Sequence, residues 1–167
     1  MAHIVKVWKE DIPGLRFIGK KYDRFGFWDE WWENGWFDLL ERAMSGTERV
    51  CRLWENGGGY VGLERRAPGA AFSYYIGMFA PMDTPVPDGF ISVDFSDVSL
   101  GTCWIYGAQS EVHDTSGCKP KLAENGLTVW KDACGAEWSF ENCLCPRYTT
   151  PDDKGNVILD YCYFVDK

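Results

Sequence analysis

The chain has 167 residues, with 17 Lys and Arg against 25 Asp and Glu and a net charge of −8 at pH 7. Such an acidic balance argues against direct nucleic-acid binding, which needs a concentrated basic surface. No apolar run approaches the ~20 residues of a membrane-spanning helix, so no membrane partner is expected. The N-terminus MAHIVKVWKEDIPG lacks the basic and apolar blocks of a signal peptide, which makes a cytoplasmic address the expectation.

Ile4–Trp8 alternates apolar and polar residues and reads as a strand. Ile12-Pro-Gly turns the chain, and Leu15–Lys20 is a second extended piece. Phe25–Ala43 then carries Trp28, Trp31, Trp32 and Trp36 among apolar positions spaced by three and four. That spacing predicts one helix over Phe27–Leu40 that runs on to Ala43, opened by Asp23 or Gly26 and stopped by Gly46. Its indoles exceed what a short amphipathic helix needs for packing. The three indoles Trp31, Trp32 and Trp36 cannot all face one way, and Trp36 is the one assigned to the edge of a cleft. After Arg49–Trp54 and the turn Asn56-Gly-Gly-Gly59, strands are predicted at Tyr60–Arg65 and Ala71–Phe79. A Pro-rich connector, Pro81–Pro87, follows.

The second half repeats the order more loosely. Phe90–Phe95 and Ser99–Tyr106 read as strands, Lys121–Cys134 as a helix weakened by Asn125-Gly126, and Phe140–Tyr148 and Val157–Val165 as strands. Tyr60–Arg66 and Phe72–Met78 correspond in order to Cys143–Thr149 and Leu159–Val165, which suggests an internal duplication. The expected organisation is a single domain over 1–167, with one repeat at about 1–80 and the other at about 88–167.

The seven cysteines are odd in number and scattered, so they read as free thiols and not as a disulfide framework. Cys143-Leu-Cys145 is too closely spaced for a usual zinc knuckle, and neither a metal nor a cofactor is predicted. His3 and His113 are the only imidazoles. His113 lies in the polar loop QSEVHDTSG and is given no catalytic role.

Several short motifs, taken in order, resemble the GyrI-like small-molecule-binding domain, the effector-binding module of some AraC-type and BmrR-like regulators. They are Arg16-Phe-Ile-Gly-Lys20, the Trp-rich helix, Tyr60-Val-Gly-Leu63, Phe72-Ser-Tyr-Tyr-Ile-Gly77, Val86-Pro-Asp-Gly-Phe90, Gly101-Thr-Cys-Trp104 and Tyr148-Thr-Thr-Pro151. With no DNA-binding headpiece ahead of them, the expectation is a free-standing member. The resemblance implies an α+β fold: a duplicated βαββ repeat, two antiparallel sheet halves about a pseudo-two-fold, helices on one side and a ligand cleft between the halves. It implies a partner that is a bulky hydrophobic, cationic or planar small molecule, held against aromatics and an acid for sensing or sequestration. A second reading is hydrolysis of cyclopropane-bearing or related xenobiotics by cleft glutamates, and a third is inhibition or regulation of a protein partner. Where the family pattern places an acid shortly before a Tyr, this chain has Cys145-Pro-Arg147 before Tyr148, so the nearest acid on that strand is Glu141.

Glu64 and Glu141 are therefore the candidate acids. Among aromatic rings either would be poorly solvated, fit to pair with a cation or to move a proton. They would be catalytic only in the hydrolase reading. The candidate ligand-binding residues are Trp36, Tyr60, Glu64, Tyr75, Trp104, Glu141, Tyr148 and Tyr163. Tyr75 and Gly77 share one strand face and Tyr74 and Ile76 the other, and the sequence leaves open which face meets the cleft.

Overall fold

The computed structural model describes residues 1–167. Eight strands and four short helices follow in the order β1 (His3–Asp11), β2 (Leu15–Tyr22), α1 (Trp28–Asn34), α2 (Trp36–Ala43), α3 (Glu48–Leu53), β3 (Tyr60–Arg66), β4 (Ser73–Pro81), β5 (Ile91–Phe95), β6 (Ser99–Ala108), α4 (Cys118–Glu124), β7 (Glu137–Cys143) and β8 (Asn156–Val165). The strands form one antiparallel sheet in the order β1-β6-β8-β7-β3-β4-β2-β5. The fold is α+β.

Exchanging β1 with β5, β2 with β6, β3 with β7 and β4 with β8 leaves this order unchanged when it is read from the other end. The pseudo-two-fold falls between the central strands. Their ladder runs from Tyr60 opposite Cys143 to Arg66 opposite Glu137, centred on Leu63 opposite Phe140. Glu64 and Glu141 therefore hold equivalent positions. Each faces a tyrosine on the next strand: Tyr74 lies opposite Glu64 and Tyr161 opposite Glu141. This corrects the correspondence read from sequence. Tyr60–Arg66 matches Glu137–Cys143, because the chain leaves the sheet after Cys143 and turns through Leu144–Thr149.

Residues paired directly across strands share a face. Glu64, Tyr74, Gly62, Glu141 and Tyr161 lie on the face that α1, α2 and α4 cover, while Leu63, Tyr75 and Phe140 lie on the other. On that other face, Phe79 meets Phe140 at 5.0 Å and Phe95 stacks on Phe164 at 4.0 Å between ring centroids. Phe95 is on an edge strand and Phe164 lies five strands away, which would be about 24 Å in a flat sheet. The sheet therefore curls tightly around its phenyl core, while β1 and β5 stay unpaired with each other. β4 is buried along all nine of its residues, consistent with its nearly continuous apolar sequence.

Two helices differ from the reading of the sequence. The Trp-rich segment is broken at Gly35, which takes φ 64°, caps the C-terminus of α1 and starts α2. The apolar spacing runs straight through this glycine, so periodicity alone could not show the break. In the second half the helix covers Cys118–Glu124 and ends where Gly126 takes φ 75°. Thr128–Lys131 instead lies along the sheet, where Val129 bridges to Val165. The segment before Trp54, unassigned from sequence, is the helix α3.

Candidate functional site

Glu141 projects from β7 onto the helix-covered face, and the residue opposite it on β3 is Gly62. A Cβ at position 62 would lie 2.7 Å from Glu141 Oε1 and collide with the Tyr74 hydroxyl. The glycine thus opens the volume in which two functional groups meet. Tyr74 donates its hydroxyl to Glu141 Oε1 at 3.0 Å, and Trp28 Nε1 donates to the Tyr74 oxygen at 3.0 Å. His113 closes the other side. Its Nδ1 lies 2.9 Å from Glu141 Oε2, and its Nε2 lies 3.0 Å from the Tyr148 hydroxyl.

This network forms one wall of a cavity of about 790 Å³, within the usual size of small-molecule sites. Trp28 and Trp32 reach it from α1, Glu41 from α2, Cys51 from α3, Tyr60 from β3, and Cys143 and Tyr148 from β7 and the turn after it. Glu55 adds a further acid, and no Lys or Arg lines the cavity. Phe37 stacks on Tyr60 at 3.9 Å, and the exposed Trp32 leans edge-on to Tyr60 at 5.3 Å. Tyr60 donates to Glu41 at 3.0 Å; burial and that carboxylate push its phenol up to about 12.

A smaller cavity of about 350 Å³ adjoins the first, and the two share Trp28, His113 and Glu141 as a common wall. Its remaining walls include Phe25, Glu64, Arg66, Tyr74 and Tyr161. Glu64 is 7% exposed and accepts a hydrogen bond from Arg66 at 2.9 Å. Burial pushes the Glu64 carboxyl up, and Arg66 pulls it partly back. The hydrogen bond to Glu141 raises His113 above the ordinary imidazole value, against the opposing effect of burial. Burial, with Glu141 nearby, raises the Tyr74 phenol, and burial likewise raises the Cys143 thiol. Three thiols, Cys51, Cys143 and Cys145, line the larger cavity, yet no group of three His, Cys, Asp or Glu in the chain is arranged to hold a metal ion.

The residues singled out from sequence divide into two sets. Tyr60, Glu141 and Tyr148 line the larger cavity, and Glu64 lines the smaller one. Tyr75 lies on the opposite sheet face between Phe17 and Trp138. Trp104 is on that face too, edge-on to Trp8 at 5.3 Å. Trp36 lies beneath the Lys20 ammonium, 4.3 Å away, and beside Phe90. Tyr163 is on the helix-covered face but packs against Tyr161, outside both cavities. The indoles that reach the cavity are Trp28 and Trp32, four residues apart on one stripe of α1. That spacing was a usable signal. His113 carried none, because its partner is 28 residues further along the chain.

No protein-family model matches the sequence, and no curated protein does. Solved structures do resemble it. SAV2435 bound to tetraphenylphosphonium superposes with a TM-score of 0.63 at 15% identity, covering 97% of this chain and 94% of that one. A candidate transcription regulation protein from Staphylococcus aureus MU50 gives 0.59 at 15% identity over 99% of both chains. The chain has a GyrI-like fold. A hydrolase from Listeria innocua gives a TM-score of 0.51 at 14% identity over 96% of this chain and 92% of that one. At such identities the GyrI-like likeness is one of architecture. No helix is long and apolar enough to cross a membrane.

Proposed function

We propose that this GyrI-like chain is a single unit over 1–167, its two repeats at about 1–80 and 88–167 jointly binding bulky hydrophobic small molecules, cationic or planar, for sensing or sequestration. The observation that carries the reading is the composition of the larger cavity. Indole and phenol rings line it, Glu41, Glu55 and Glu141 face it, and no Lys or Arg does. Aromatic faces and carboxylates with no Lys or Arg beside them attract a poorly hydrated cation. The tetraphenylphosphonium bound by SAV2435, a protein of similar architecture, is a molecule of that kind.

Titration of the protein with tetraphenylphosphonium, followed by Trp28 and Trp32 quenching, tests this. Saturable binding is expected, weakened in Glu141→Gln for the cation but not for a neutral aryl compound of similar size. No saturable binding of either compound would overturn the reading.

A hydrolytic reading has one observation in its favour, the different surroundings of two neighbouring carboxylates. Glu64 is buried with its carboxyl raised, and Glu141 is bonded to an imidazole. Such a pair can divide acid and base roles. Incubation with a cyclopropyl-activated electrophile separates the two readings: an enzyme turns over, and a sequestering protein saturates at stoichiometry.

A further inference from the structure

Resting on that ligand-binding reading, we infer that the smaller cavity is a second cation subsite, centred on Glu64, that receives an ammonium arm of the ligand whose apolar body fills the larger cavity. The ligand class is an elongated amphiphile with a bulky aromatic body and a protonated or quaternary amine on a short flexible arm.

Three observations converge on it. The first is the pseudo-symmetry. Glu64 and Tyr74 in one half repeat Glu141 and Tyr161 in the other, position for position across the central ladder. Both acid–tyrosine pairs line the smaller cavity, so the pseudo-two-fold brings its two halves together there. The second is the lining. Phe25, Trp28, Tyr74 and Tyr161 enclose the 350 Å³ space together with the two carboxylates. Several rings around a carboxylate form a cage for an ammonium, whose charge spreads over methyl or N–H groups that the π faces attract. A neutral polar group would gain little from such a wall.

The third is the state of Glu64 itself. It is 7% exposed, and the one charged group bonded to it is the Arg66 guanidinium, whose side chain is 59% exposed and extends outward over Phe72. The carboxylate is rooted in the sheet while its counter-ion comes from the surface and can swing away. Arg66 thus occupies the position that a ligand cation would take. On binding, one charge-assisted hydrogen bond or contact replaces another, and Glu64 is not left buried and unpaired. Because Trp28, His113 and Glu141 border both spaces, the two lie within reach of an arm of a few methylenes.

The test compares three probes by fluorescence titration at about pH 8, where carboxylates are ionised. They are a naphthyl compound, the same compound with a propyl-trimethylammonium arm, and its neutral tert-butyl isostere. The armed cation is expected to bind about tenfold tighter than the isostere, as a desolvated cation–π and ionic contact would give. In Glu64→Gln, which preserves shape, that preference falls to about twofold while the armless compound is unaffected. In Arg66→Met, the competing cation is gone, and the armed probe alone binds several times tighter. A merely structural role for Arg66 would not produce that gain. If the armless body binds and the armed cation shows no preference, or Glu64→Gln weakens all three alike, the subsite is overturned while the larger cavity stands. If none of the three binds, the ligand-binding reading fails and takes the subsite with it.

Discussion

Gly62 and Glu141 face each other across the central pair of strands, and the missing side chain of one makes room for the carboxylate of the other. Gly62→Ala would place a methyl group 2.7 Å from Glu141 Oε1 and into the Tyr74 hydroxyl. The expected cost is about 1–3 kcal/mol of stability, as for overpacking elsewhere. The displaced carboxylate would also weaken cation binding. Urea unfolding and a phosphonium titration on the same variant check both.

His113 sets the pH response. Its folded-state pKa is raised, first by the hydrogen bond to Glu141. The pairing therefore contributes full stability below the ordinary imidazole value near 6.5, and that contribution is lost as pH rises through the raised value. Binding runs the other way. A protonated His113 competes with a ligand cation for Glu141, so cation affinity is expected to increase as pH rises through the same window. Affinity measured from about pH 6 to about pH 8.5 should climb in the wild type and lie flat in His113→Gln. A neutral ligand should show no such climb.

Trp31 and Trp32 are neighbours in sequence with opposite duties. Trp31 is fully buried and donates Nε1 to the Tyr22 hydroxyl at 3.0 Å, whereas Trp32 is 58% exposed at the mouth of the larger cavity. Trp31→Ala is expected to cost about 3–5 kcal/mol, and the Tyr22 hydroxyl would keep only its bond to Glu30. Trp32→Ala should stay within about 1 kcal/mol in stability and reduce affinity for aromatic ligands several-fold. Chemical denaturation separates the first effect and ligand titration the second.

Arg147 holds the turn that carries Tyr148. It bonds both oxygens of the buried Asp160, each at 2.6 Å, and reaches the Asn56 side chain at 3.3 Å. Arg147→Met leaves the Asp160 carboxylate buried without its counter-ion. A loss of about 2–3 kcal/mol is expected, at the low end for broken buried pairs because the arginine is partly exposed. Ligand affinity should fall with it, since Tyr148 loses its mounting, and restoring stability with a stabilising salt should not restore affinity in full.

The strands were legible because alternation and apolar runs report directly on which side of a sheet is covered. The strands β1–β6 and β8 lie where the sequence puts them, within a few residues. The helices were harder. Gly35 interrupts a spacing that remains in phase on both sides of it, and Asn125-Gly126 stops a helix whose apolar positions continue beyond. Of the site, the glutamates were visible as rare acids among apolar strand residues, and Tyr60 and Tyr148 as aromatics beside them. Tyr75 and Trp104 show the limit of that logic: a strand displays aromatics on both faces, and only the cross-strand register says which face meets the helices. His113 came from a polar loop, and nothing local marks a loop residue whose partner is supplied by a distant strand.

The strand order has a consequence for how the molecule could be taken apart. Each half lends its first strand to the other: β1 lies against β6, and β5 lies against β2. Severing the connector between Asp83 and Asp88 would therefore not release two independent modules. Each fragment would keep a three-stranded sheet with both edges bare and carry a loose arm that belongs on its sibling. Mixed together, the fragments should clasp one another arm for edge. The two halves are thus interlocked like clasped hands, and the crevice on which they converge exists only while the grip holds.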